Sequence, residues 1–495
     1  MLKLCLPVIA PYLTHIVNCC LEVGYFPDFW RHSIIKPIPK KSNPSSLNDL
    51  RPISILPVMS KILEKVVARQ LYEYVVDGGI IPNNQSGFRK GFSPITALLK
   101  LTDDIINSQD KGCATSVILL DYSKAFDTID HSLMIAKLDY IGLQSTALNF
   151  FRTYLDNRWQ KVELDGELSA ASRVTSGVPQ GSVLGPILYL IYVFDMQSSV
   201  KHVSIQSFAD DTQLYLSYDP NQSREASLLI NTDLASLDEY SRGHNLFLNP
   251  VKCCYVVFHS GLYDDESIDM QLRIRDQTLK ISSNAKNLGV IFDCRLRFEE
   301  HISLLVKKSY LVLRHLYSHR KIMNFKLRKK LCETLVLSVL NYSLILCFPF
   351  LLKTTKYRLQ LIQNYCCRFI YGLRKYDRVS AKINELGWLK IENLYKYYLG
   401  SLVYRILSTS IPPYLKCRLV HRGSLHDRSI RHTNTLDMPR FRFATSSRGF
   451  TYNAVTVYNS IPASFKTRSE GFFKRSFKSL LLESQKELFF HSNFR

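Results

Sequence analysis

Two short runs that alternate apolar and polar residues, 203–208 and 212–216, flank Ala209-Asp210-Asp211. Alternation of period two is the signature of a strand with one buried face. The short gap between the runs leaves room only for a tight turn. The segment is therefore predicted to be a β-hairpin with adjacent carboxylates at its tip. Paired acids on a rigid strand tip repel one another unless a cation joins them, and hard oxygen ligands of this kind suit Mg²⁺. Taken alone, the pair reads equally as a solvated turn, where Asp is common.

A second acidic strand lies upstream. Ser116-Val117-Ile118-Leu119-Leu120 is apolar and rich in branched residues, and it runs into Asp121. A buried strand that ends on a carboxylate needs a partner for that charge. If Asp121 lies beside the hairpin, three carboxylates converge on one sheet, the ligand set for two Mg²⁺ ions in nucleotidyl transfer. Between the two strands, Ser176-Gly177-Val178-Pro179-Gln180-Gly181-Ser182-Val183-Leu184-Gly185-Pro186 reads as a shaped loop. Pro186 suits the first turn of a helix over 187–194. Gly177 and Gly181 would let backbone approach a ligand closely.

Charge is unevenly spread. Of 64 Lys+Arg and 42 Asp+Glu, residues 301–495 hold 35 and 9, so the basic excess lies wholly in the C-terminal two-fifths. Such asymmetry points to a polyanion, most simply nucleic acid. Lys326-Leu327-Arg328-Lys329-Lys330 and Arg440-Phe441-Arg442-Phe443 are the clusters that favour this reading. The second interleaves rings with charge, as base stacking requires.

The 12 cysteines form no framework and read as free thiols in a reducing compartment. His315 and His319 are four apart on a predicted helix without a third ligand, so they read as a basic helix face. Pro7 and Pro11 interrupt the apolar N-terminus, which argues against a signal peptide. The apolar run 331–352 contains Glu333, Asn341 and Pro349 and is expected to be a buried helix pair, not a membrane span.

The ordered motifs Leu120-Asp121-Tyr122-Ser123-Lys124-Ala125-Phe126-Asp127, Gly177-Val178-Pro179-Gln180-Gly181-Ser182 and Phe208-Ala209-Asp210-Asp211 resemble those of non-LTR retrotransposon reverse transcriptases, LINE-type elements of the jockey-like group. Leu50-Arg51-Pro52-Ile53-Ser54 with Lys61-Ile62-Leu63-Glu64-Lys65, and Gln85-Ser86-Gly87-Phe88-Arg89, resemble the fingers motifs. Leu248-Asn249-Pro250-Val251-Lys252 resembles the lysine-bearing palm motif, and Asn287-Leu288-Gly289-Val290 the primer grip. Tyr458-Asn459-Ser460-Ile461-Pro462 and Phe473-Lys474-Arg475-Ser476-Phe477-Lys478 match the tail, with Tyr458 where the family more often has Trp.

The resemblance implies an α+β right-hand polymerase with fingers, a palm built on an antiparallel sheet, a helical thumb and a basic, mainly helical C-terminal region. The expected boundaries are an extension over 1–30, fingers over 31–115, palm over 116–295 with interleaved fingers segments, thumb and connection over 296–375, and the basic region over 376–495. A thumb helix is expected over 298–317.

It implies RNA-directed DNA synthesis. Asp121, Asp210 and Asp211 would hold two Mg²⁺ ions, with Mn²⁺ as a substitute. Lys252 would serve the departing pyrophosphate. Tyr122, Phe126, Gln180, Gly181 and Arg51 would line the dNTP, with Phe126 under the sugar to favour deoxynucleotides. Lys36, Lys40 and Lys41 are further candidates for phosphate or template. Leu288, Gly289, Lys326, Arg328, Lys329 and Lys330 would contact nucleic acid.

The implied partners are an RNA template, a DNA primer and dNTPs, with no membrane. The implied setting is intracellular, in the nucleus, the cytoplasm or both, as a ribonucleoprotein. Complete elements of this group carry an N-terminal apurinic-type endonuclease, whereas this chain opens just before the fingers. The chain is read as a 5′-truncated copy, a partial gene model or a remnant that starts at an internal Met, and a separate endonuclease is one partner that the resemblance allows. No RNase H module or Cys-Cys-His-Cys knuckle is read after the polymerase motifs. The alternative is a catalytically silent, retroelement-derived RNA-binding protein.

Overall fold

A computed structural model describes residues 2–259, 270–424 and 435–492. After a helix over Leu2–Val23, strands β1 (His32–Pro39) and β2 (Leu50–Ile55) pair antiparallel, with Ile34 opposite Ile55 and Pro39 opposite Leu50. The helix Val58–Tyr72 follows, and then Pro94–Asp110. The second helix starts where its sequence dictates. Ser93 Oγ accepts from the Thr96 N–H at 3.1 Å, Thr96 Oγ1 accepts from the Ser93 N–H at 2.9 Å, and Pro94 fills the first turn.

The next strand, β3 (Ala114–Leu120), is the centre of the palm sheet and is buried along nearly its whole length. The chain returns to the fingers with β4 (Arg158–Leu164), which runs parallel to β1. It then adds to the palm β5 (Ser204–Phe208), β6 (Asp211–Tyr218), β7 (Cys254–Phe258) and β8 (Lys280–Ile281). The order across the palm sheet is β8-β7-β3-β6-β5. β3 is antiparallel to both of its neighbours, with Leu120 opposite Thr212 and Leu119 opposite Cys254.

Alternation sorts the palm side chains into two cores. Ile118, Leu120, Leu214, Tyr255 and Val257 face the helices His131–Tyr140, Gly185–Tyr192 and Ser223–Gly243. Val117, Tyr215, Val256 and Phe258 face the other way, onto the helix Pro94–Asp110 and the C-terminal half of the chain. β9 (Asn284–Asn287) and β10 (Val290–Asp293) form a separate hairpin beside the sheet.

The helix expected in the thumb spans Glu299–Ser318. The apolar stretch expected to be a helix pair is one continuous helical run, Phe325–Phe350. It is long and apolar enough to cross a membrane, but half of its apolar window is buried, with Cys332, Val336, Leu340 and Leu344 in the core. None of the 12 cysteines is in a disulfide.

The basic C-terminal region is built into the same core as the palm. Val403, Phe450, Val455, Phe473 and Phe477 join Val117 and Tyr215 in one apolar cluster. The Arg440 to Phe443 segment, expected as a stacking arm, is docked by its backbone. The N–H groups of Arg442 and Phe443 both donate to Asp110 at 3.0 Å, and the Phe441 ring packs on Tyr452.

Candidate active site

The acid hairpin is β5 and β6 joined by a two-residue turn, Ala209-Asp210, with Phe208 opposite Asp211. Ala209 has φ +58°, a conformation that a side chain resists. The fingers hold it there. The Ala209 N–H donates to Gln85 Oε1 at 3.0 Å, and Gln85 Nε2 donates back to the Ala209 carbonyl at 3.4 Å. The Ser86 N–H donates to the Ser207 carbonyl at 2.8 Å, and the Ser207 N–H to the Asn84 carbonyl at 2.9 Å. A Cβ on Gly87 would lie 2.3 Å from the Ala209 nitrogen, so only glycine fits against the turn.

Continuing the β3–β6 register by one residue sets Asp121 across from Asp211. Asp121 Oδ2 is buried without a hydrogen-bond partner, and Lys252 Nζ stands 3.4 Å from it as an ion pair. Burial, aided by the Asp121 charge, holds the Asp210 carboxyl above the usual range, with Arg51 opposing. Burial first, then the charges of Asp210 and Asp121, push Asp211 up to about 6, with Lys286 opposing. Among the described residues no three His, Cys, Asp or Glu side chains form a ready metal cluster. The donor set nevertheless suits a hard divalent cation. It is all oxygen, it includes a buried atom without a hydrogen-bond partner, and the charge of Asp121 raises the pKa of both Asp210 and Asp211.

Phe126 bridges palm and fingers. Its ring stacks on Tyr189 at 4.5 Å and meets Phe88 edge-on at 6.1 Å. Tyr189 is fully buried with an unpartnered hydroxyl, and its pKa is raised well above normal by burial and then by Asp210.

The glycine-rich loop is a wall fixed on two sides. On the palm side, the Val178 N–H donates to the Phe126 carbonyl at 2.9 Å, and Gln180 Nε2 donates to Asp127 Oδ1 at 2.8 Å. On the fingers side, the Ser54 N–H donates to the Gln180 carbonyl at 2.7 Å. Buried Glu64 accepts from the N–H groups of Val183 at 2.6 Å and Leu184 at 3.2 Å, where the helix Gly185–Tyr192 begins. Gly181 has φ +125°, and a Cβ there would lie 2.7 Å from the Ser54 carbonyl oxygen. Its close approach is therefore to β2.

Other expected residues need correction. Tyr122 follows Asp121, so alternation sends its ring to the opposite face. It is buried in the palm core with its hydroxyl 3.1 Å from Ser241 Oγ, and it does not line the site. Arg328 is occupied by the carbonyls of Met323, Arg320 and Ile370, and Lys329 by that of Leu386, so both serve the fold. Lys326 and Lys330 are exposed. In the fingers, Lys36 pairs with Glu163 and Lys41 with Asp49, and Lys40 donates to the Asn48 carbonyl. Arg51 is exposed on β2 and acts on Asp210.

Leu288 and Gly289 form the β9–β10 turn. Tyr342 donates its hydroxyl to the Leu288 carbonyl at 2.7 Å, and Asn287 bonds Gln213 of β6. Lys286, Tyr189, Phe88, Glu64, Asp127 and Gln85 were not foreseen in these roles. All act through contacts distant in sequence.

The family model described as "Reverse transcriptase (RNA-dependent DNA polymerase)" matches residues 38–292. That span holds the three carboxylates, the loop, the braced turn and the β9–β10 turn. Similar proteins from Drosophila melanogaster include the "Probable RNA-directed DNA polymerase from transposon BS", 28% identical over 77% of this chain and 43% of its own length. The corresponding protein "from transposon X-element" is 30% identical over 59% of this chain and 32% of its own length. The "RNA-directed DNA polymerase from mobile element jockey" is 25% identical over 79% and 43%. The chain thus spans less than half the length of these curated relatives.

Proposed function

The chain belongs to the reverse transcriptase family, and from that premise we propose that it is an RNA-directed DNA polymerase of a non-LTR retrotransposon. It adds dNTPs to the 3′-hydroxyl of a primer on an RNA template. The observation that carries this reading is the meeting of Asp121 with Asp210 and Asp211 at the ends of adjacent strands, on a turn braced by the fingers.

Asp121, Asp210 and Asp211 would hold two Mg²⁺ ions, with Mn²⁺ as a substitute. Such ions, when bound, supply charge stabilisation to the attacking and leaving oxygens of an in-line displacement. The protein's own part is positioning. Lys252 is exposed beside Asp121 and offers its ammonium to the charge that builds on pyrophosphate. Arg51 faces the same centre from the fingers and Lys286 from the β9–β10 hairpin. Phe126 is held between Tyr189 and Phe88, and a ring fixed in that way excludes a ribose 2′-hydroxyl by bulk. Gln180 is held by Asp127 and presents the loop as the wall of the dNTP pocket.

The reading carries with it a nick that supplies the primer. It also carries an intracellular setting, nuclear, cytoplasmic or both, as a ribonucleoprotein. Its test is extension of a DNA primer on an RNA template with dNTPs and Mg²⁺. The parent extends, and Asp210→Ala does not although it binds primer–template equally. Binding without extension by the parent, with either cation, would make the chain a silent RNA-binding protein.

A further inference from the structure

The matched family region ends at residue 292, yet a segment some 120 residues further on reaches the acid hairpin. Tyr414 is buried, and its hydroxyl lies 3.1 Å from both Ser86 Oγ and Thr96 Oγ1. Ser86 Oγ in turn accepts from Gln206 Nε2 of β5 at 3.1 Å. Four residues on, Arg418 donates to Asp103 at 2.6 Å and also to Asp104. Asp104 accepts from the Tyr215 hydroxyl of β6 at 2.8 Å.

Each strand of the acid hairpin thus receives one strut from the same C-terminal segment, through one intermediate residue. Ser86 and its neighbour Gln85 also brace the turn itself. Tyr414 and Asp103 are buried, Arg418 and Asp104 are partly buried, and the struts are internally paired. Thr451 completes Asp103, and Phe92 packs edge-on to the Tyr414 ring at 5.8 Å.

We propose that residues 413–418 form a positioning device for the acid turn, with Tyr414 and Arg418 as positioning residues that fix where Asp210 and Asp211 stand. The proposal rests on the polymerase reading above. It gives the C-terminal region a part in catalysis separate from any hold on template. Neither residue touches substrate. Their effect passes through Ser86, Gln206, Asp104 and Tyr215 to the turn.

The test uses the full chain. Tyr414→Phe removes only the hydroxyl and keeps the ring against Phe92. Its kcat for primer extension should fall about fivefold to tenfold, the worth of one buried hydrogen bond. KM for primer–template and its salt dependence should stay at parent values. Ser86→Ala breaks the same strut from the other end, so the double variant should be no slower than the worse single one. Amide hydrogen exchange should quicken over residues 204–218 and remain at parent rates elsewhere.

Unchanged kcat with unchanged exchange over 204–218 would overturn the proposal. A raised KM at parent kcat would also overturn it, by making the segment a nucleic-acid contact. Exchange quickened throughout the chain would reduce Tyr414 to a stability residue. If the parent itself fails to extend primers, the polymerase reading fails, and hydrogen exchange over 204–218 still decides whether the struts hold the turn.

Discussion

Replacing Asp211 with Asn should stabilise the cation-free protein while harming its chemistry. The Asp211 carboxyl is raised from 3.8 to about 6 by burial and by the charges of Asp210 and Asp121. A folded-state pKa above the unfolded one means that the folded chain binds more protons between those values. Stability therefore falls as pH climbs from 3.8 to 6, and the full cost persists at higher pH. A shift of that size corresponds to about 3 kcal/mol. Asp211 is more than a third exposed, so solvent screening cuts this to about 1–1.5 kcal/mol.

The assay is urea unfolding in chelator, read as the midpoint at constant slope. At pH 7.5 Asp211→Asn should be more stable than the parent by about that amount, and at pH 3.5 the two should coincide. Saturating Mg²⁺ should close or reverse the gap at pH 7.5, because the parent binds the cation better in its folded state. A variant no more stable than the parent at pH 7.5 in chelator would refute the claim that the carboxylates strain one another.

Three further outcomes follow from the geometry. Phe126→Val should raise ribonucleotide incorporation relative to deoxynucleotide in competition assays, since it removes the ring held between Tyr189 and Phe88; an unchanged ratio takes Phe126 out of sugar selection. Gly181→Ala should lower stability and raise the KM for dNTP, because its Cβ would lie 2.7 Å from the Ser54 oxygen at a φ that disfavours side chains; parent-like thermal melting and kinetics would contradict this. Glu64→Ala strips two buried N–H groups of their acceptor and should cost about 2–4 kcal/mol in urea unfolding, whereas an unmoved midpoint would show that Val183 and Leu184 find other partners.

The local parts of this design were legible in the sequence. Alternation around Ala209 predicts the hairpin, and the apolar run into Asp121 predicts the central strand. Tyr122 could have been placed correctly by the same rule, since neighbouring residues on a strand face opposite ways. The Gln85 brace, the Glu64 cap and the Tyr414 strut are different in kind. Each joins groups more than a hundred residues apart, and no local pattern marks the partner.

The C-terminal charge excess did not disclose how the region packs, for a physical reason. Lys and Arg describe a surface, while Phe450, Phe473 and Phe477 between them decide that the region packs into the palm core. Arg328 has the charge of a phosphate ligand but directs it to the carbonyls of Met323, Arg320 and Ile370.

The central claim is that Asp121, Asp210 and Asp211 act as one cation-dependent centre for DNA synthesis on RNA. Single-turnover extension of a DNA primer on an RNA template, titrated with Mg²⁺, tests it most directly. Asp121→Asn and Asp210→Asn should each lose on the order of a thousandfold or more in rate, since several kcal/mol of charge stabilisation disappears. Asp211→Asn should shift the Mg²⁺ requirement upward, and primer–template affinity should be the same in all four proteins. Parent-level rates in Asp121→Asn or Asp210→Asn, or extension that is independent of divalent cation, would contradict the account.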